Sequence, residues 1–338
     1  MELILHPVDL AMRHVFTIAH GSRTVQSNVI VELREGGISG YGETASSTYF
    51  GVTAESVCQA LEAVRRDVEQ AAFDDPPEFR RRMAPLLKGR NFALCALDEA
   101  AHDLWGKRLG RKVYELWGLE SGACPLTNYT IGIDTAETMV ARMKEFDGWP
   151  IYKIKLGTPD DLVIVRELRR HTDAVFRVDA NTAWGVEETI RNSRELKKLG
   201  VEFIEQPLRA DDWEGMKRVY GESALPIIAD ESCVAEEDVD RCRGCFHGVN
   251  VKLTKAGGLT PARRMVRRAR ELGLKTMAGC MTESTVGISA VAQLLPMLDY
   301  ADVDGALLLV RDVAAGVRIE MGRAVFGDEN GCGVRWIG

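Results

Sequence analysis

The first part of the chain changes its pattern of apolar and polar positions from strand-like to helix-like. Over residues 1–45, short apolar runs such as Val29–Leu33 are separated by glycine-rich turns, which predicts an antiparallel meander. Over residues 53–119 the apolar positions recur with helical spacing. These positions are Val57, Leu61, Val64 and Val68 in one stretch, and Leu94, Leu97, Ala101 and Leu104 in another. We therefore predict an α+β domain over residues 1–121.

The remainder of the chain repeats a short apolar run followed by a helical pattern. Such repeats predict parallel strands joined by crossover helices. Eight of them, 21 to 27 residues apart, favour an α/β protein with a closed (β/α)8-type barrel over residues 122–310. The last repeat lacks a clear helix, and residues 311–338 are expected to return to the first domain. The runs begin near Leu126, Tyr152, Phe176, Phe203, Ile227, Gly248, Lys275 and Asp302.

Composition and charge narrow the class of ligand. The 338 residues carry 43 basic and 50 acidic side chains, a net charge of −7, which gives no basic surface for nucleic acid or an anionic membrane. The apolar runs are far shorter than the ~20 residues of a membrane span. Eight scattered cysteines are typical of a cytoplasmic protein, and the Cys242–Cys245 pair is expected to be ordinary thiols rather than a metal site. No glycine cluster has the spacing of a dinucleotide-binding loop. A small-molecule substrate is expected.

Three acids end neighbouring strands of the predicted barrel. Asp179, Glu205 and Asp230 each follow an apolar run, at intervals of 26 and 25 residues. The carboxyl ends of barrel strands meet at one face, so these side chains should converge. Three carboxylates need a compensating cation, and an all-oxygen site favours Mg²⁺. Each acid alone could instead begin a loop or cap a helix.

Lysines lie on the strands to either side of these acids. Lys153 and Lys155 share one face of the second strand, about 6.6 Å apart at ~3.3 Å per residue, and each should depress the pKa of the other. Lys252 ends the sixth strand, across the barrel, whereas Lys255 is expected to be a surface lysine. A cation between two amines is suited to removing a proton next to a carboxylate and returning one to the opposite face, which is racemisation or epimerisation.

The strand-end motifs resemble the enolase superfamily, specifically its muconate-cycloisomerase-like subgroup, over essentially the whole chain. The motifs are Lys153-x-Lys155, Val178-Asp179-Ala180-Asn181, Glu205-Gln206-Pro207, Asp230-Glu231-Ser232, and Asn250-Val251-Lys252 followed by Gly257-Gly258. The resemblance implies an α+β capping domain on a modified (β/α)7β barrel and one Mg²⁺ per subunit, held by the three acids. It also implies that Lys155 and Lys252 are the acid/base pair and that Lys153 assists Lys155.

Within this subgroup the chain resembles the dipeptide epimerases. Their Asp-x-Asp at the end of the eighth strand, which binds the substrate ammonium, matches Asp302-Val303-Asp304. The resemblance also implies that Thr130, and the backbone around Cys280 and Met281, face the substrate. Arg23, in a capping-domain loop, would pair with a glutamate side chain of an L-Ala-Glu-type dipeptide. A role in recycling cell-wall peptides would follow, and the sequence leaves open whether the chain forms a homo-oligomer.

Three other functions remain open at this point. The same machinery would serve an N-acylamino-acid racemase, an o-succinylbenzoate synthase or a cycloisomerase, whose substrates carry no ammonium for Asp302 and Asp304. A Schiff-base aldolase would use a barrel lysine as its nucleophile and leave the three acids without a purpose. A ligand-binding relative with a degraded site is the non-enzymatic alternative.

Overall fold

A computed structural model describes residues 1–338, the side chain of residue 123 excepted, as two layered units in sequence. The first unit comprises β1 (Glu2–Ile18), β2 (Gly21–Glu35), β3 (Ile38–Ala45), α1 (Ala54–Ala63), α2 (Arg65–Gln70), α3 (Pro76–Met83), α4 (Asn91–Leu109) and α5 (Val113–Leu116). The second comprises β4 (Tyr129–Ile131), α6 (Ala136–Glu145), β5 (Ile151–Lys155), α7 (Asp161–Arg169), β6 (Val175–Asp179), α8 (Val186–Lys198), β7 (Val201–Glu205), α9 (Trp213–Glu222), β8 (Ile227–Ala229), α10 (Asp238–Cys242), β9 (Gly248–Lys252), α11 (Leu253–Ala256), α12 (Leu259–Glu271), β10 (Lys275–Gly279), α13 (Thr285–Ala292) and β11 (Tyr300–Asp302). The short strands β12 (Ala314–Ala315), β13 (Arg318–Glu320), β14 (Arg323–Val325) and β15 (Arg335–Trp336) follow.

The second unit is a closed parallel barrel. Over the described residues its sheet has eight strands, hydrogen-bonded in the order β4 to β11. A parallel bridge between Thr127 and Ala301 joins the two edge strands and closes the ring. One or more helices follow each of β4 to β10, whereas β11 is followed only by a 3-10 turn, Gly305–Leu308. The (β/α)8-type fold with a reduced last unit is thus confirmed.

The strand ends differ by a few residues from those expected. The first strand begins at Tyr129 rather than near Leu126, and the eighth runs through Tyr300–Asp302, so Asp302 ends this strand instead of beginning it. This difference matters because the carboxyl end of a barrel strand faces the site, whereas its amino end lies at the opposite face.

The first unit is an antiparallel sheet covered by helices. Strands β1, β2 and β3 pair in sequence order, which confirms the predicted meander, and α4 packs across β3. Contact is close because Gly42 has no side chain: a Cβ there would collide with the backbone of α4 at Ala96 and Ala100. The helical apolar positions, Val57, Leu61, Val64 and Val68, are all buried against this sheet. Hydrophobic burial therefore fixes α1, α2 and α4 on one face.

The last residues of the chain pack against the first unit. Strand β15 pairs with β12, and Trp336 stacks on Tyr41 of β3 with 6.0 Å between ring centroids. The backbone N–H of Cys332 donates to Asp103 of α4 at 2.8 Å. Aromatic stacking and a hydrogen bond to a buried carboxylate thus attach the chain's end to the sheet with which it began.

Buried carboxylates of the first unit bind the barrel loops. Asp98 of α4 accepts hydrogen bonds from the Thr260 N–H at 2.8 Å and the Thr260 hydroxyl at 2.7 Å, which caps the start of α12. Glu43 of β3 accepts from the N–H and hydroxyl of Ser284 and from the Gly287 N–H, at the start of α13. Burial nevertheless raises the pKa of Glu43. Charge-assisted hydrogen bonds thus fix the two units together next to the loops after β9 and β10.

Within the described part of the chain, none of the helices combines the length and the apolar character that crossing a lipid bilayer requires.

Candidate active site

Strand register brings several of the strand-end residues side by side at the barrel mouth. Lys155 pairs directly with Asp179, and Asp179 with Glu205. On the far side Gly279 lies between Lys252 and Asp302. The closed ring therefore carries both acids and lysines around one rim, and their side chains are the buried polar residues of the barrel mouth.

The three predicted acids converge. One carboxylate oxygen from each of Asp179, Glu205 and Asp230 lies within 4.8 Å of the others, and all three side chains are buried. Burial and the neighbouring Asp179 raise the pKa of Glu205 to about 7. Burial also acts to raise the pKa of Asp230, but the ammonium groups of Lys252 and Lys255 outweigh it and hold this pKa well below its usual value. The cluster thus needs positive charge to remain ionised.

The donor set fits a hard divalent cation. Three carboxylates offer oxygen ligands from three adjacent strands, as Mg²⁺ prefers. Glu205 Oε2 is buried and pairs with the Lys153 ammonium at 2.7 Å, and its remaining lone pair is available to a second cation.

Lys153 lies among acids rather than free in the cavity. Its Nζ lies 2.6 Å from Asp302, 2.7 Å from Glu205 and 3.1 Å from Asp179. Burial acts to lower the pKa of Lys153, but these three carboxylates outweigh it and raise the pKa well above its ordinary value. The expected lowering of the Lys153 pKa by Lys155 is therefore wrong on balance, because three carboxylates surround the Lys153 amine and raise its pKa. Lys153 is thus a cation held in place by three carboxylates.

Lys155 and Lys252 enter the same cavity from opposite sides of the barrel. The Lys155 Nζ donates to Asp179 Oδ2 at 2.7 Å, and the Lys252 Nζ donates to Asp230 Oδ2 at 2.7 Å. Their strands, β5 and β9, are four places apart in the ring. Both amines line the main cavity. Two amines thus face one space from two directions, each hydrogen-bonded to a different acid of the cluster.

Lys255 is buried, contrary to the surface position expected from the sequence. Its side chain is 1% exposed. Helix α11 begins directly after Lys252 and ends at Gly257, whose φ of 86° requires a glycine-like conformation. This single helical turn directs the Lys255 amine inward to Asp230, at 2.5 Å from Oδ1. An isolated turn of this kind has no periodic pattern that would predict its burial.

Asp302 and Asp304 both line the cavity, with Thr130 beside them. Asp302 accepts from Lys153 at 2.6 Å and from the Asn128 amide at 2.7 Å. Asp304 accepts from the Thr130 N–H at 2.5 Å and from the Thr130 hydroxyl at 3.2 Å. Burial and Asp302 raise the pKa of Asp304 to about 7. Thr130 thus orients Asp304, whose charged form burial and Asp302 disfavour.

The cavity lies between the barrel mouth and the loops of the first unit. Its volume is about 410 Å³, within the range of small-molecule sites. Cys280 and Met281, after β10, line it from the barrel, while the β1–β2 hairpin and residues 46–50 line it from above. Arg23, on this hairpin, is half-buried and donates to the side-chain oxygen of Gln26. Every residue assigned to the site from the sequence, Lys153 apart, is among the lining residues or the acid cluster at its base.

Two residues that adjoin the acids have strained backbones that sequence reasoning did not single out. Asn181 and Gln206 have φ angles of 41° and 31°. Non-glycine residues in this region cost about 1–2 kcal/mol. The Gln206 side-chain oxygen accepts from the N–H groups of Asp230 and Ser232, at 2.9 and 3.0 Å. These hydrogen bonds join the loop after β7 to that after β8. In the sequence both residues belong to the strand-end motifs, where Gln206 follows Glu205 directly and Asn181 follows Asp179 by two residues, but the motifs gave them no role.

Comparisons with known families cover nearly the whole chain. Residues 1–118 match the mandelate racemase / muconate lactonizing enzyme N-terminal domain, and residues 135–337 match the enolase C-terminal domain-like family. The chain belongs to the mandelate racemase / muconate lactonizing enzyme family. This membership confirms the resemblance to the enolase superfamily.

Members of this family with similar sequences and structures are named as epimerases. An L-Ala-D/L-amino acid epimerase of Flavobacterium johnsoniae is 55% identical, over 99% of each chain. A dipeptide epimerase of Methylococcus capsulatus, solved with Mg and L-Arg-D-Lys, is 32% identical, with a TM-score of 0.89 over 99% of each chain. The L-Ala-D/L-Glu epimerase of Bacillus subtilis is 25% identical, with a TM-score of 0.93 over 99% of this chain and 98% of that one.

The contacts of Lys153 predict a large structural cost for its removal. In EDTA, Lys153→Met should lower the free energy of unfolding by about 3–5 kcal/mol, because it leaves three buried carboxylates with less compensation. Lys275→Met is the control, because the Lys275 side chain is 57% exposed and pairs with Asp299 at the surface. Loss of this surface pair should lower the free energy of unfolding by less than about 1 kcal/mol. Urea unfolding measures both. An equal loss of unfolding free energy in the two variants would contradict the claim that the three carboxylates bind Lys153 as a cation.

Proposed function

We propose that this protein is a dipeptide epimerase that inverts the α-carbon of the C-terminal residue by 1,1-proton transfer. The observation that carries the proposal is the pair of amines, Lys155 and Lys252, which enter one cavity from opposite strands above a common cluster of acids. Inversion requires a base on one face of a planar intermediate and an acid on the other. The names of relatives over 99% of the chain support this choice of reaction.

The proposed chemistry uses the lysines as one acid/base pair. One of Lys155 and Lys252, in its neutral form, removes the α-proton, and the C–H electron pair moves into the substrate carboxylate to form an enediolate. The other, as an ammonium, donates a proton from the opposite face, so the charge of the lysine pair is conserved. Lys153, held as a cation by three carboxylates, assists Lys155 by adding fixed positive charge beside it.

Asp179, Glu205 and Asp230 are proposed to hold one Mg²⁺, consistent with their convergence within 4.8 Å and with the magnesium in the Methylococcus relative. The bound cation would offset the second negative charge that develops when the α-proton leaves. The three acids would hold it at the base of the cavity, where Asp179 already accepts a hydrogen bond from Lys155 and Asp230 accepts one from Lys252.

The two ends of the substrate would be bound by opposite charges. Asp302 and Asp304 are proposed to receive the substrate ammonium, since both are buried and line the cavity. Thr130 would contribute by orienting Asp304 through its N–H and hydroxyl. Cys280 and Met281 lie on the loop after β10, whose backbone would face the substrate carboxylate. A carboxylate pair next to one lysine binds an amine better than it binds an uncharged acyl group.

Arg23 is proposed to select the side chain of the C-terminal residue. Its guanidinium lines the cavity and is half-buried, with the neutral Gln26 as its hydrogen-bond partner. An acidic side chain would supply the opposite charge, which favours Ala-Glu-type dipeptides such as those released from cell-wall peptides. The broader naming of the Flavobacterium relative, for amino acids in general, leaves room for other side chains.

Residues 1–121 with 311–338 are proposed to act as the capping domain and residues 122–310 as the catalytic barrel. The packing of Trp336 on Tyr41 and the capping-loop residues in the cavity wall support this division. We also propose that the reaction takes place in the cytoplasm, because the cysteines that the structure describes are free thiols.

The central test is deuterium incorporation from a dipeptide library in D₂O. The purified protein with Mg²⁺ should add one deuterium to its substrates, at the α-carbon of the C-terminal residue, and form the second epimer; EDTA should abolish both. Mass spectrometry and ¹H NMR measure label and position. A dipeptide library that remains unlabelled would overturn the proposal, and label found only in N-acylamino acids incubated in parallel would favour the racemase alternative.

Asp304→Asn tests recognition of the ammonium. Loss of one carboxylate of the pair should reduce kcat/KM for dipeptides by roughly 30- to 1,000-fold, about 2–4 kcal/mol, because the substrate cation loses its counter-charge. Calorimetry should give an unchanged affinity for Mg²⁺, since Asp304 is not among the three converging acids. Undiminished dipeptide turnover would be incompatible with this role.

Arg23→Met tests selection of the side chain. The variant should lose roughly 10- to 150-fold in kcat/KM for dipeptides that end in glutamate or aspartate, about 1.5–3 kcal/mol for a charge-assisted hydrogen bond. Dipeptides that end in neutral residues should change less than threefold. Arg34→Met is the matched control, because Arg34 lies at the other end of β2 and pairs with Glu32. A uniform loss across all substrates would argue against a selective contact.

A further inference from the structure

Lys255 is the most completely bonded lysine next to the acid cluster, and the proposed reaction does not use it. Its amine donates to the Asp230 side chain (Oδ1) and to the Asp230 carbonyl, both at 2.5 Å. It also donates to the carbonyls of Cys233 at 3.0 Å and Asn250 at 3.3 Å. These acceptors belong to β9 and to the loop after β8. One amine therefore connects the backbone of both segments to a single carboxylate oxygen.

The two carboxylate oxygens of Asp230 have different hydrogen-bond partners. Oδ1 is bound by Lys255, and Oδ2 accepts from the catalytic candidate Lys252 at 2.7 Å. A carboxylate that is fixed through one oxygen cannot rotate freely about its χ2 bond, so the direction of the other oxygen is also fixed. Because Lys252 hydrogen-bonds to that second oxygen, the position of its amine depends on the same restraint.

The first unit holds the backbone that carries Lys255. The Asn91 side-chain amide donates to the Lys255 carbonyl at 2.9 Å, and the Arg80 guanidinium donates to the Gly257 carbonyl at 3.1 Å. Both donors come from the capping helices α3 and α4 or their start. The short helix α11 is therefore fixed at its backbone by one unit and at its side chain by the other, which leaves the Lys255 amine a narrow range of positions.

We propose that Lys255 is a positioning residue for proton transfer on the Lys252 side of the cavity. It holds the Asp230 carboxylate so that Oδ2 accepts from the Lys252 amine while Asp230 stays with the other two acids of the cluster, and it takes no proton itself. This proposal rests on the proposed epimerase function. Its consequence is an asymmetry: loss of Lys255 should disturb the face of the substrate served by Lys252 more than the face served by Lys155, whose hydrogen bond is to Asp179.

The first experiment measures cation binding to purified Lys255→Met and Lys255→Arg. Calorimetry with Mg²⁺ should show at least tenfold weaker binding for Lys255→Met and a smaller loss for Lys255→Arg, which keeps the charge. Lys107→Met is the matched control, because Lys107 also forms a largely buried pair, with Asp103 at 2.6 Å, but on α4 away from the cavity. Thermal unfolding is recorded for each variant, and Lys255→Gln replaces Lys255→Met should the latter not fold.

The second experiment compares α-proton exchange in D₂O starting from each epimer separately. In a two-base reaction each lysine deprotonates one epimer, so the wild type exchanges both. Lys255→Met should change the ratio of the two exchange rates by at least tenfold while the Lys107→Met ratio remains that of the wild type. An unchanged ratio, with both rates lowered equally or not at all, would overturn the positioning role.

The two proposals fail in different ways. A wild-type protein that exchanges no dipeptide proton refutes the epimerase function, and the Lys255 proposal as a step in proton transfer falls with it. Wild-type exchange from both epimers, together with an unaltered ratio in the Lys255 variants, refutes the Lys255 proposal alone. Unaltered Mg²⁺ affinity in Lys255→Met would likewise refute the claim that Lys255 orients Asp230.

Discussion

Compensation between buried acids and buried lysines is the interaction on which the rest of this structure depends. Asp179, Glu205 and Asp230 are removed from water at the end of three adjacent strands. Isolated carboxylates would be neutralised there, because low dielectric surroundings penalise charge. The strand ends solve this problem because they bring the Lys155 ammonium to Asp179 and the Lys252 ammonium to Asp230, each at 2.7 Å. The groups that make burial of the acids tolerable are also those with the geometry for proton transfer, so stability and chemistry cannot be separated at this rim.

A second layer of polar contacts makes the cap part of the catalytic architecture. Asp98 caps α12 and Glu43 binds the start of α13, so the loops after β9 and β10 are each held by a carboxylate from the first unit. Such buried, hydrogen-bonded acids specify one arrangement of the two units, because any other arrangement would leave the carboxylates without hydrogen-bond donors. The cap thus sets the position of the loops after β9 and β10 in addition to covering the cavity.

Local pattern predicted the strands and the strand-end acids, because both depend on residues close in sequence. Alternation and helical spacing gave the meander and the repeated barrel units, and apolar runs ending in Asp179 or Glu205 indicated the rim. The surroundings of individual lysines could not be predicted from local pattern. The charge state of Lys153 depends on Asp302, 149 residues away, and the burial of Lys255 depends on a single turn that closes over Asp230. Long-range contacts of this kind leave no periodic signal.

The attachment of the chain's end to its beginning bears on how the protein is made. Strand β15 pairs with β12 in a small sheet of its own, but Trp336 stacks on Tyr41 of β3 and the Cys332 N–H donates to Asp103 of α4. During synthesis this surface of the first unit stays uncovered until the barrel residues that lie between have emerged. Nascent chains would therefore expose Tyr41 and its surroundings until residues 332–336 arrive, and a chaperone that covers this surface would limit aggregation in that interval.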